Sequence, residues 1–154
     1  MRVPAHLLGQ GLIAVVLVAV LCAASDAREH VVLNALPTVR VDSGEGGTKR
    51  SVLAKSERTK SAVTIVRRGD QFFWASRENV ELLHDGSGAV HYFVAPQGSG
   101  YIKVLDTKDL PESMRRPGPR FSYMEHVSME LVSITYWGAT DEFNLGDGPS
   151  DGGK

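Results

Sequence analysis

Five side chains in the middle of the chain have types that suit a metal ion or a reacting water: His84, Asp85, His91, Glu125 and His126. Neutral imidazole nitrogens and carboxylate oxygens ligate zinc, and a zinc-bound water is a hydrolytic nucleophile at neutral pH. Convergence of His84, His91 and His126 would make the chain a small metal-dependent hydrolase. Nothing in their spacing requires it. No His-Glu-x-x-His helix and no closely paired histidines occur, so the plainer reading is turn and strand-edge histidines with no cofactor.

Other catalytic patterns are weaker still. Gly98-Ser99-Gly100 lacks the spacing of a nucleophile elbow, and it also lacks the lysine and following helix of a phosphate-binding loop. Arg68-Gly69-Asp70 is an adhesion-type tripeptide, but glycine and aspartate are also what a hairpin tip needs for its backbone angles. The aromatic residues are more informative. Phe72, Trp74, Phe93, Tyr101 and Trp137 exceed, together with Tyr123 and Tyr136, what so small a domain is expected to place wholly inside. The first five are the expected contact surface for a protein, peptide or glycan. Arg77-Glu78-Asn79 and Arg115-Arg116 supply polar groups for its rim. The leading expectation is therefore a non-catalytic binding domain or a component of an envelope assembly.

Short β-branched and aromatic runs separated by glycine turns must position these groups, and that pattern predicts antiparallel hairpins. Ala62 to Arg68 and Gln71 to Ser76 flank Gly69-Asp70. A two-residue loop there sets Ile65 opposite Trp74, Val66 opposite Phe73 and Arg67 over Phe72. Val80 to His84, Ala89 to Ala95 and Tyr101 to Asp106 form the next unit, with loops at Asp85-Gly86-Ser87-Gly88 and Pro96 to Gly100. Alternation predicts Val90, Tyr92, Val94, Ile102 and Val104 on a core face and His91, Phe93, Tyr101 and Lys103 on a wetter one. Asp109 to Arg116 has room for one helical turn before Pro117-Gly118-Pro119. Residues 121–137 fit two strands with a bulge or tight turn near Glu130, or a helix; the β-branched and aromatic content of Val132 to Thr140 favours strands. The fold class expected is all-β, or β-rich α+β: a small antiparallel meander of about seven strands forming a barrel or sandwich.

The ends and the composition set the compartment. Arg2, the apolar run Leu12 to Ala24 and Ser25-Asp26-Ala27 match a secretory signal over residues 1–27, cut after Ala27. The run falls short of the ~20 apolar residues of a spanning helix, so no membrane span is expected after signal removal. Met1 to Ala5 and Leu7 to Gly9 resemble the leader of immunoglobulin kappa chains, a resemblance confined to the signal. Beyond it there is no cysteine for an immunoglobulin framework, since Cys22 is the chain's one cysteine. A cysteine-free export product with no Asn-x-Ser/Thr sequon points to a bacterial periplasm or exterior, and stability must then come from packing alone. A net charge of -1 gives no attraction to nucleic acid. Residues 28–60 read as a flexible segment and linker, with Lys49-Arg50 a possible dibasic processing site, residues 61–143 as the β-rich domain, and the glycine-rich 144–154 as a disordered tail.

Overall fold

A computed structural model describes residues 29–115 and 117–146. The predicted signal, its cleavage point and residues 147–154 of the tail lie outside the described residues. Ten antiparallel strands follow in chain order: β1 (Glu29–Ala35), β2 (Pro37–Gly44), β3 (Gly47–Val52), β4 (Val63–Arg68), β5 (Gln71–Trp74), β6 (Val80–Ser87), β7 (Val90–Val94), β8 (Gly100–Asp106), β9 (Phe121–Met129) and β10 (Val132–Thr140). One short helix, α1 (Lys55–Lys60), precedes β4, and single 3-10 turns span Thr107–Asp109 and Glu112–Met114. The all-β class agrees with the sequence pattern, but the strands number ten rather than seven.

The three extra strands come from the stretch read as a linker. β1 pairs with β4 through Leu33↔Ile65 and Ala35↔Val63, while β2 pairs with β10 and with β3. The supposed flexible run at Asp42 to Gly47 is the turn of the β2–β3 hairpin, closed by Gly44↔Gly47 with Gly47 at φ 101°. Strand structure is therefore present from Glu29 onward and not only from near residue 61. The local pattern reads weakly here because Pro37 and the Gly-rich turn interrupt its apolar run, and because β1 and β2 take partners, β4 and β10, tens of residues away.

From β4 to β10 each strand neighbours the next, and the full order is β1-β4-β5-β6-β7-β8-β9-β10-β2-β3. Leu36 alone separates β1 from β2, which pair at opposite ends of that meander. Downstream of β10 the chain returns to β1: the Glu142 carbonyl accepts from Asn34 N at 3.3 Å, Asn144 N donates to the Val32 carbonyl at 2.8 Å, and Leu33 bridges Phe143. The sheet thus curls into a half-barrel, and the segment after β10 lies along its edge strand β1. Asn144 to Gly146, expected to be disordered, belongs to this closing strap, and Leu145 packs against the core.

Leu33, Ile65, Trp74, Leu82, Phe93, Ile102 and Val104 fill the concave side. Each large apolar side chain so buried contributes roughly 1.5–3 kcal/mol, which is how a sheet without cross-links holds its curl. The first hairpin has the expected register, Ile65↔Trp74, Val66↔Phe73 and Arg67↔Phe72, with Gly69 at φ 60°. The next unit corrects the expected faces. Phe93 pairs with Ile102, so Phe93 and His91 point inward while Tyr92 and Val94 point out. β6 also runs on to Ser87, leaving Gly88-Ala89 as the loop. Residues 121–137 form β9 and β10, turning at Glu130, whose φ of 45° supplies the tight turn that the change of apolar parity requires. No helix among the described residues is long and apolar enough to cross a membrane.

Candidate functional site

The histidines divide into two groups. β6 and β7 carry His84 and His91 on the concave side, where His84 faces Phe93 and lies against Phe72 at ring-centroid distances of 4.7 and 5.1 Å. His84 Nε2 is 3.1 Å from His91 Nδ1. Burial among these rings, and then the neighbouring His91, lower the affinity of His84 for a proton. His126 instead projects from the convex side of β9, hydrogen-bonded to Thr135 Oγ1 at 2.9 Å and stacked on Tyr101. The alternative of a metal site built from His84, His91 and His126 is therefore not assembled. Among the described residues no group of three or more His, Cys, Asp or Glu side chains is placed to hold a metal ion. One-residue alternation explains the outcome: Glu125 points in, so its neighbour His126 points out.

Alternation also splits the five aromatic residues. Phe72 is half-buried, and Trp74 and Phe93 are wholly buried, on the concave side, so they pack the interior rather than forming a surface. Tyr101 and Trp137 are on the convex side. Arg115 is exposed on the loop before β9, and Arg116 lies outside the described residues.

On the convex side the pairing aligns a larger surface than the sequence suggested. One row across six strands reads Leu83, Val94, Tyr101, His126, Thr135 and Val41; the next reads Asp85, Tyr92, Lys103, Met124, Trp137 and Val39. Leu83 is 60% exposed and Tyr92, Val94 and Trp137 are each close to 40% exposed. Lys103 lies over the Tyr92 ring at 5.4 Å. No described element packs over these rows, so the convex sheet presents apolar and aromatic side chains side by side to solvent. Leu83, Tyr92, Val94 and Met124 were absent from the expected contact set. Their signal was present as alternation, but assigning the inward face needed the β7–β8 register.

A second feature has no counterpart in the sequence reading. Glu125 is completely buried, paired in register with Ile102 and Tyr136, and its Oε1 is 3.0 Å from Arg77 Nη2. Beyond that contact neither carboxylate oxygen has a well-aligned hydrogen bond, although the Trp74 indole N–H lies close enough to act on it, and Tyr123 Oη is buried without a partner. Burial pushes the Glu125 carboxyl up to about 7, with the Arg77 charge and the Trp74 indole N–H pulling the other way. Burial and the Glu125 charge likewise raise Tyr123. Arg77 starts a tight turn in which Glu78 and Asn79 have φ of 54° and 56° and Val80 N donates to the Arg77 carbonyl at 3.1 Å. That turn forms one wall of an open cleft of about 530 Å³; Ser99, Val127, Ser128 and Met129 form the other, and Trp74 contributes to the lining. Comparison of the chain with protein-family models, with curated proteins and with solved structures finds no match.

Proposed function

We propose that this protein is an exported, non-catalytic binding domain, periplasmic or secreted, that docks a partner protein on the convex face of β6–β10 and β2. The observation that carries the reading is the pair of register-aligned rows, with Leu83, Tyr92, Val94 and Trp137 exposed, Tyr101 and Met124 half-buried between them, and no element among the described residues over them. Contiguous apolar surface of this kind is uncommon on a monomer, and tyrosine, tryptophan and methionine are the side chains that dominate protein contacts. A convex, aromatic sheet face suits a partner that lays its own sheet or helix against it. The export part of the reading rests on the signal-like residues 1–27.

Capture from a native envelope fraction or culture medium tests the proposal, with wild type and the double variant Tyr92→Ser/Trp137→Ser as paired baits. A partner retained by wild type and lost by the variant supports the convex face. A wild-type chain that captures nothing, or a partner that the variant holds equally well, overturns it. Mass spectrometry of exported protein tests the leader: a mature N-terminus at Arg28 is expected, and an intact Met1 refutes cleavage.

A further inference from the structure

The cleft on the other side of the molecule does not enter that reading, and its wall carries a cation with spare capacity. A guanidinium has five N–H donors. Arg77 directs Nη2 at Glu125 and donates Nη1 to the Ser76 carbonyl at a long 3.4 Å, and its remaining donors have no acceptor among the described residues. The side chain is 30% exposed at a cleft whose other members include Trp74, Val80, Val127 and Met129. Its partner is sealed from solvent and held chiefly from one side: Glu125 Oε1 takes the 3.0 Å contact from Arg77, and neither oxygen has a further well-aligned donor apart from the Trp74 indole nearby. A buried carboxylate in that position is costly unless paired and hydrogen-bonded, so it favours the protonated state whenever another anion can serve Arg77.

We propose that the cleft binds a small amphiphilic carboxylic acid, whose carboxylate takes the free donors of Arg77 while Glu125 takes up one proton from solvent. Charge balances in the exchange: one guanidinium faces one carboxylate before and after, and the displaced carboxylate becomes neutral. A single arginine matches a monoanion better than a phosphate dianion, and Glu78 at the mouth reinforces that choice. The aliphatic body of such an acid fits the wall formed by Val80, Val127 and Met129, and the volume falls in the ordinary range for small-ligand sites. The titratable and charged groups around Glu125 are Arg77 from the β5–β6 turn, Tyr123 on its own strand and Tyr136 on β10 with Arg40 beyond it. Burial and the Glu125 charge raise Tyr123 further above its ordinary value, so Glu125 is the group that accepts the proton.

Calorimetric titration of the full chain with sodium octanoate, against 1-octanol as the uncharged control, tests the proposal. Octanoate is expected to bind at least tenfold more tightly than octanol, with affinity falling from pH 6 to pH 8. Repeating the titration at pH 7 in phosphate and in Tris, whose ionisation heats differ, should show net proton uptake. Arg77→Met should lose at least tenfold in octanoate affinity. Glu125→Gln should keep binding yet show no proton uptake and no pH dependence. Equal binding of octanoate and octanol, no binding of either, or a pH dependence that survives Glu125→Gln would each overturn the proposal. Should Arg77→Met fail to fold, the octanol and pH comparisons on wild type decide it alone. Tyr92→Ser/Trp137→Ser, which alters only the convex face, should bind octanoate as wild type does, so this test and the partner test fail separately.

Discussion

The imidazoles of His84 and His91 lie edge to edge in nearly one plane, 18° apart, with Nε2 of the first 3.1 Å from Nδ1 of the second. Their centroids are 5.4 Å apart, which is the N···N distance plus one ring radius at either end, so the contact is an in-plane hydrogen bond and not a face-to-face stack. One nitrogen must donate and the other accept. Two imidazolium rings cannot both remain there.

Acid should therefore weaken the fold through this pair. His84 takes a proton less readily than its ordinary value of 6.5 in the folded chain, because of burial first and His91 second. A depressed value means that stability is complete above 6.5 and declines as pH falls toward the lowered one. Urea melts at pH 5, 6 and 7 should show that decline, and His84→Phe, which fits among Phe72 and Phe93, should flatten it. An unchanged acid limb in His84→Phe would contradict the assignment.

Glu125 should act with the opposite sign. Its folded value of about 7 lies above the ordinary 4.5, so the folded chain holds a proton that the unfolded chain has released. Its contribution is fully present below pH 4.5 and is lost as pH rises to about 7, at up to about 1.4 kcal/mol per pH unit. Glu125→Gln removes the loss and should melt at a higher urea concentration than wild type at pH 8. Because His84 and Glu125 slope in opposite directions, the wild-type profile is the sum of the two, and each variant isolates one.

Gly100 marks where the cleft floor meets the sheet. A methyl group there would be driven into the His126 carbonyl and come within 3.1 Å of the Trp74 ring. Gly100→Ala should cost about 1–3 kcal/mol by forcing Trp74 or β9 aside. Gly46→Ala, with open space around it and no left-handed backbone requirement, should stay within about 0.5 kcal/mol of wild type. Equal denaturation midpoints for the two would argue against the close packing of β8 on Trp74.

Phe143 anchors the closing strap. Its ring lies 5.1 Å from Phe121, 5.2 Å from His91 and 6.3 Å from Phe93. Phe143→Ala should cost on the order of 3 kcal/mol and release the strap from β1. Hydrogen exchange at the Asn34 and Asn144 amides, which bond across that seam, should then accelerate well beyond exchange at the amides of β8. Uniform acceleration everywhere would mean that the strap has no local role.

How much could be read in advance differs by element. The β4–β5 hairpin was fully legible, because Gly69-Asp70 fixes a two-residue loop and the register follows by counting. Glu130 was legible as a turn because the apolar parity reverses on either side of it. β7 misled because both of its faces carry apolar residues, so alternation named two faces without saying which was inside.

Sequence alone determined the class of the fold and its hairpin punctuation, since these depend on residues within about ten positions of one another. Tertiary structure alone decided that residues 29–52 are strands, that His126 stands apart from His84 and His91, and that Arg77 reaches a buried Glu125. The pairings of β1 with β4 and of β2 with β10, the inward setting of Glu125 and the Arg77 contact all join segments far apart in the chain. A strand's inward face is set by whichever neighbour it pairs with, and no local pattern of side chains encodes that choice.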